Sequence, residues 1–339
     1  MNNRAVQVNR LPEPGPLAAD TFTIVEQPLP PLNDGDLLMR VIYLSIDAGS
    51  RGQLDDRGDY VIKTAPGQIM SGSGAVGQVL ESRHPRWKAG DYLATTVSRW
   101  SSVVRLKGDT PLLTRIDPKV APLEAYLGIL GMVGFTAWVG MTNIARASAK
   151  DCVLVSAAAG ATGSAAGQFA KASGARVIGI AGGATKCQWV EQELGFDQCI
   201  DYKSEDIAAA IANRCPTGID VYYDNVGGTI QQAAFDAMNT HGRLVLCGMV
   251  GQYSGEGEAP GPNLMAAIIK RLTLTGFLAN DHIALFPEFQ AIALDLYQQG
   301  KLKHQATVTK GIENIHEAIN SLTSGKNTGK QLCQIGEVD

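Results

Sequence analysis

Between residues 150 and 280 the chain alternates short apolar runs with segments of helical length, and this alternation restricts its fold more than any other feature. The runs are Cys152–Val155, Arg176–Ile180, Gln198–Ile200, Asp220–Tyr223, Arg243–Cys247 and Leu272–Phe277. Strands separated by helices imply βαβ units and a parallel sheet. Six strands complete a doubly wound, dinucleotide-binding fold.

A phosphate loop is expected after the first strand. The stretch Ala158-Ala159-Gly160-Ala161-Thr162-Gly163 follows Cys152–Ser156 and opens a helix expected over Ser164–Ser173. Ala158 replaces the first glycine of the usual pattern, but the two that matter physically remain. Gly160 lets the backbone approach a pyrophosphate, and Gly163 lets helix and strand pack closely. Free N–H groups and the positive end of the helix dipole then face the phosphates. The literal GxGxxG at Gly72, Gly74 and Gly77 is a decoy. Only a short stretch ending at His84-Pro85 follows it, with no room for a phosphate-binding helix, so its glycines suit a bend in a strand.

The second strand decides which dinucleotide. An NAD site wants an acid near its end, to bond the ribose 2′-hydroxyl. No Asp or Glu lies between Val177 and Val190, and Lys186 is the sole charge there. The missing acid leaves space for a 2′-phosphate and the lysine supplies its counter-charge, so NADP(H) is expected.

Residues 1–125 read differently. Strand-like runs at Leu37–Ile46, Gly74–Leu80 and Tyr92–Val97 are separated by Gly and Pro, as in an antiparallel β domain. After residue 300, a strand at Ala306–Val308, a helix near Ile315–Leu322 and a strand at Gln331–Ile335 have no place in a filled six-stranded sheet. They are assigned back to the first domain. The expected division is therefore 1–125, 126–300 as the NADP-binding domain, and 301–339 returning to the first.

Composition closes off other classes. With 18% charged and 45% hydrophobic residues the chain is not disordered. A net charge of −4 gives no nucleic-acid footprint, and no apolar run approaches the ~18 residues of a membrane span. The start MNNRAVQVNRLPEP has no apolar signal-peptide core. The six cysteines form no CxxC pair and come no closer than 12 residues, which fits buried, reduced thiols in a cytoplasmic protein. None of the five histidines stands at zinc-ligand spacing from a cysteine.

The chain resembles the zinc-free medium-chain dehydrogenase/reductase superfamily, in the leukotriene hydroxydehydrogenase/prostaglandin reductase branch with curcumin-type and alkenal double-bond reductases. The resemblance spans essentially the full length. Its carriers are Tyr43-Leu44-Ser45-Ile46-Asp47 with Arg51-Gly52, Gly131–Ala137, the loop around Gly160, and Ala181-Gly182-Gly183 with Lys186. It continues through Asp224–Gly228, Cys247-Gly248, Gln252-Tyr253, Gly261-Pro262 and Gly325–Lys330. It implies a GroES-like β domain beside a Rossmann domain, and a homodimer paired through the edge strand Leu272–Phe277. It also implies roles. Lys186 and Tyr202 would hold the 2′-phosphate, and Thr162 and Gly163 the pyrophosphate. Asn225, Cys247, Phe277, Ala279 and Asn327 would line the ribose and nicotinamide, with Thr136 near the cofactor. Where the family usually has Asp-Pro-Tyr-Met-Arg-Gly, this chain reads Asp47-Ala48-Gly49-Ser50-Arg51-Gly52, and Val133 replaces a usual proline. The first departure removes two bulky groups beside the expected substrate cleft, so it bears on specificity.

The implied chemistry is NADPH-dependent reduction of a double bond conjugated to a carbonyl. Charge then develops on the carbonyl oxygen, which calls for a hydrogen-bond donor rather than a metal. Tyr253 and the ribose 2′-hydroxyl are the candidates, with Tyr60 across the cleft and Arg51 lining it, unless Arg51 is an ion-pair partner of Asp47 or Asp55. The α-proton can come from water. Rival readings are a quinone reductase of the same superfamily and a non-enzymatic NADP-binding sensor. A zinc alcohol dehydrogenase is disfavoured because residues 1–125 contain no cysteine.

Overall fold

Strands buried on both faces are continuously apolar, and Val153, Leu154 and Val155 are all 0% exposed in the computed structural model. That structure describes residues 3–54, 63–252 and 261–337. The chain divides into two units, Met1–Leu127 with Ala306–Asp339, and Gly128–Gln305.

The second unit carries a six-stranded sheet. Its strands are β1 (Cys152–Val155), β2 (Arg176–Ala181), β3 (Gln198–Asp201), β4 (Ile219–Asp224), β5 (Met238–Leu246) and β6 (Thr273–Gly276). They pair in the order 3-2-1-4-5-6, all parallel. This is the doubly wound dinucleotide-binding topology, in which ligands lie beyond the carboxyl ends of the strands where the order reverses. That reversal falls between β1 and β4.

The helices that follow the first strand of the sheet are α1 (Ala161–Ala172), α2 (Ala184–Gln192), α3 (Ile207–Arg214), α4 (Gly228–Ala237), α5 (Met265–Lys270) and α6 (Phe286–Gln298). Ile211 of α3 and Phe235 of α4 join Ile178, Ile200 and Tyr222 of the sheet in one buried cluster. Elsewhere Phe135, Trp138, Phe169, Phe286 and Phe289 meet at centroid separations from 5.2 to 6.3 Å. Such aromatic pairs add about 0.5–1.5 kcal/mol each beyond area burial.

The first unit is built on a mostly antiparallel seven-stranded sheet. Its path runs Ala306–Lys310, Lys330–Gln334, Asp36–Ser45, Ala75–Ser82, Tyr92–Thr95 and Thr114–Ile116, with Val103–Lys107 also paired to Asp36–Ser45. The carboxyl-terminal segment therefore completes this sheet rather than the parallel one. The decoy glycines lie here. A Cβ on Gly77 would stand 2.1 Å from the Arg40 carbonyl oxygen, and one on Gly72 would stand 2.2 Å from the Trp100 indole nitrogen. Both positions are glycine because neighbouring groups already occupy the space. Among the described residues, no helix is long and apolar enough to cross a membrane.

Candidate dinucleotide site

The loop after β1 is shaped by one strained residue and one obligatory glycine. Ala157 takes φ +49°, a left-handed conformation that L side chains seldom adopt. Its carbonyl accepts the Gly160 N–H at 2.8 Å, closing the turn. The same oxygen stands 2.3 Å from where a Cβ on Gly163 would lie, so no larger residue fits there. From Gly160, with extended φ/ψ, α1 begins. The amides of Ala161, Thr162 and Gly163 have no acceptor within the helix by construction. No acidic side chain occupies this first turn. The cradle suits a pyrophosphate.

A second corner forms where β2 and β3 end side by side. Gly182 and Gly183 lead into α2, and Gly183 takes φ +102°. Tyr202 packs over Gly182 so closely that a Cβ there would meet its ring and hydroxyl at 2.8–2.9 Å. Asp201 accepts the Gly183 N–H at 2.7 Å and also bonds the Lys203 N–H and the Ser204 hydroxyl. That acid holds the loop together. Lys186, half-buried on α2, has its pKa pushed down by burial and then by the like charge of Lys203. Two cations near enough to repel each other, at the corner that Tyr202 covers, suit a phosphate. Lys186 and Tyr202 were expected in this corner; Lys203 was not.

The third element is the end of β4. Asp224, 0% exposed, accepts from the Ser156 hydroxyl at 3.0 Å, the Tyr222 hydroxyl at 2.8 Å and Gln231 Nε2 at 2.8 Å. The Val226 and Gly227 amides also donate to it, at 2.9 and 3.1 Å. This hub fixes the turn Asn225–Gly228. Asn225 donates its side-chain amide to the Ser156 carbonyl at 2.8 Å, tying the turn to the start of the phosphate loop. The Cys247 N–H bonds the Asp224 carbonyl at 2.9 Å. Burial pushes the Cys247 thiol up to about 11, against the hydrogen bond from Tyr223. The Tyr223 hydroxyl also lies within hydrogen-bond distance of the Thr136 carbonyl, at 3.3 Å, and its one proton can serve either partner. A Cβ on Gly140 would meet both the Tyr223 ring at 2.5 Å and Phe277 at 3.2 Å. Thr136, Cys247 and Phe277 thus gather around Tyr223, and Ala279 begins the short helix after β6.

Other expected residues belong to the first unit. Asn327 is buried and donates to the Gly329 carbonyl at 2.9 Å. Arg51 is buried and donates to the Glu13 carbonyl at 2.9 Å. The Asp47 carboxylate is held by Lys330, which is 2% exposed and also donates to the Ile46 carbonyl at 2.9 Å. Tyr60, Asp55 and Tyr253 lie outside the described residues. Among the described residues, no group of three or more His, Cys, Asp or Glu side chains is placed to hold a metal ion.

Comparison with known proteins extends this picture. Residues 161–299 match the family model described as zinc-binding dehydrogenase, and residues 4–112 match the N-terminal domain of oxidoreductase. The chain is 35% identical over 344 residues to the NADPH-dependent curcumin reductase of Escherichia coli, covering 100% of this chain and 98% of that one. It is 36% identical over 307 residues to the NADP(+)-dependent 2-alkenal reductase of Nicotiana tabacum, covering 90% and 89%. The crystal structure of CurA in complex with NADPH from Vibrio vulnificus superimposes with a TM-score of 0.91 at 34% identity, covering 99% and 100%. With full-length relatives at this level and both domain models in place, the chain belongs to the medium-chain dehydrogenase/reductase superfamily, in the branch of curcumin, 2-alkenal and prostaglandin reductases.

Proposed function

We propose that this protein is an NADPH-dependent oxidoreductase that reduces the carbon–carbon double bond of α,β-unsaturated aldehydes and ketones. The observation that carries the cofactor assignment is the corner of Gly182, Lys186, Tyr202 and Lys203 at the ends of β2 and β3, where β2 offers no acid and the Asp201 carboxylate is taken up by the loop's own donors. The choice of substrate leans on the reactions named for the curcumin and 2-alkenal reductases. Residues 126–300 serve as the cofactor domain, and 1–125 with 301–339 as the substrate domain.

NADPH, when bound, supplies a hydride to an electron-poor carbon. The amides of Ala161, Thr162 and Gly163 bind the pyrophosphate, and Lys186, Tyr202 and Lys203 the 2′-phosphate. Thr136, Asn225, Cys247, Phe277, Ala279 and Asn327 line the ribose and nicotinamide. Tyr253 donates to the carbonyl oxygen as negative charge builds there, with Tyr60 and Arg51 shaping the substrate's surroundings. Water protonates the α-carbon. Losing one oxyanion donor costs ~10²–10³-fold, and a ribose hydroxyl would share this task. Tyr253→Phe should therefore lower kcat and kcat/KM together by about 10- to 100-fold and leave NADPH affinity within about threefold.

The decisive assay follows NADPH absorbance with simple enones, saturated aldehydes and quinones. Turnover of enones supports the reading. Turnover of quinones alone makes the protein a quinone reductase, and NADPH binding without turnover makes it a sensor. Assembly as a homodimer is part of the proposal: β6 is an edge strand, and exposed Ile268, Ile269 and Leu274 lie on it and on the adjoining α5. A monomeric mass by light scattering would remove that part. The cytoplasm is the proposed location.

A further inference from the structure

Two pairs of thiols touch within the second unit, and their electrostatic surroundings are opposite. Cys187 and Cys199 share a hydrogen bond near Glu191, Asp201 and Glu205. Burial and those carboxylates push the Cys187 thiol up, and burial with Cys187 itself raises Cys199 further. The other pair joins Cys152, the first residue of β1, to Cys215, which caps the carboxyl end of α3. Here the Arg176 guanidinium, on the first residue of β2, donates to Cys152 Sγ at 3.6 Å. Asp220 of β4 also faces Cys152, accepting its N–H at 2.9 Å. The hydrogen bond from Cys215 and then the Arg176 charge outweigh burial and Asp220, bringing Cys152 down to about 7. Cys215 is pushed up by its hydrogen bond with Cys152 and by burial, against the same Arg176 charge, so the guanidinium serves both sulfurs.

We propose that Cys152 and Cys215 are a peroxide-oxidisable dithiol, a modification site at the amino-terminal edge of the parallel sheet that closes to a disulfide. Two interacting sulfurs beside a guanidinium are the arrangement such chemistry needs: the cation favours a thiolate at Cys152, 3.6 Å away, and the neighbouring thiol can close the disulfide. The Cys152 thiolate attacks one oxygen of hydrogen peroxide, the O–O bond breaks, and the departing hydroxide takes up a proton as water. Cys152 is left as sulfenic acid. Cys215 sulfur then attacks the Cys152 sulfur, the S–O bond breaks, and the hydroxyl leaves as water with the Cys215 proton. Two thiols and one peroxide give one disulfide and two waters; the sulfurs lose two electrons and the peroxide gains them. Both thiols are nearly buried, at 6% and 4% exposure, which restricts the oxidant to one as small as hydrogen peroxide. The pair lies at the opposite end of β1 from the phosphate loop, so the proposal does not depend on the substrate of the enzyme.

The test is peptide mapping of the full chain after graded hydrogen peroxide, with denaturing alkylation. The expected result is a Cys152–Cys215 linked peptide that dithiothreitol abolishes, formed before any change at Cys187, Cys199, Cys247 or Cys333. Arg176→Gln should slow its formation several-fold at neutral pH. Cys215→Ser should leave Cys152 as a sulfenic acid, captured when dimedone is present as the oxidised protein is denatured. The proposal is overturned if Cys187–Cys199 links first, if Cys152 and Cys215 stay reduced while other thiols oxidise, or if Arg176→Gln leaves the rate unchanged.

Discussion

Removing the two lysines of the phosphate corner one at a time should separate their contributions, because they differ in burial. Lys186 is half-buried and Lys203 exposed. A charge-assisted hydrogen bond contributes about 1.5–3 kcal/mol, which is about 10- to 150-fold in affinity. Lys186→Ala should weaken NADPH by that factor. An exposed cation contributes about 0.2–1 kcal/mol and is screened by salt, so Lys203→Ala should cost about 1.4- to 5-fold, and less at high salt. NADH carries no 2′-phosphate, and its affinity should barely move in either variant. The pH dependence follows from the same pair. Burial and Lys203 hold the Lys186 pKa below its ordinary value. NADPH affinity should therefore fall as pH rises through that lowered pKa, while NADH affinity stays flat. Lys203→Ala removes the repulsion and should move the fall to higher pH. Calorimetric titration of both cofactors into wild type and the two variants measures all of this. Equal weakening of NADPH and NADH by Lys186→Ala would refute the assignment and make Lys186 a structural residue. A larger loss from Lys203→Ala than from Lys186→Ala would refute the ranking by burial.

Two further predictions concern carboxylates, one buried and one partly so. Asp224→Ala strands five donors, each costing about 1–3 kcal/mol if left unpaired. Water entering the gap offsets part of this, so a loss of roughly 3 kcal/mol or more in denaturant melts is expected, together with weaker NADPH binding; Asp224→Asn, which keeps the accepting oxygen, should lose less. Lys330→Met leaves the Asp47 carboxylate without its cation; breaking a fully buried pair costs about 3–5 kcal/mol, and because the Asp47 side chain is 26% exposed the loss here should fall below that range. Burial alone would raise the Asp47 pKa, but the Lys330 charge and hydrogen bond reverse this and hold it below the ordinary value. Wild type therefore keeps the benefit of the pair above an ordinary Asp pKa of ~3.9 and loses it as pH falls lower. In the variant Asp47 protonates more readily, so the stability gap between the two proteins should narrow in acid.

What could be read from the sequence was whatever a single strand or loop decides by itself. Val153-Leu154-Val155 reads as a strand because burial on both faces makes it continuously apolar. The loop Gly160–Gly163 reads as a phosphate cradle because its two glycines fall within one short loop between a strand and a helix. The boundaries that shifted are those where local pattern is weak. Helix α1 begins at Ala161 rather than Ser164, through a first turn of Ala, Thr and Gly that has little helical signature. Strand β5 begins at Met238, because Met238 pairs with Ile219 across a register shift, through Asn239-Thr240-His241-Gly242 that shows no strand alternation. Contacts between distant segments were harder to see. The donors to Asp224 come from Ser156, Tyr222 and Gln231 as well as from its own turn, and no spacing rule counts them. The Cys152–Cys215 contact likewise depends on where α3 ends relative to β1. Lys203 is the instructive case. A search for the 2′-phosphate partner along β2 alone stops at Lys186, yet the 3-2-1 order places the end of β3 directly beside the end of β2. That order follows from consecutive right-handed βαβ units, so neighbouring strand ends can be inferred before any coordinates exist. The residues just after Ile200 therefore bring Lys203 to the corner beside Tyr202, which the family resemblance alone names.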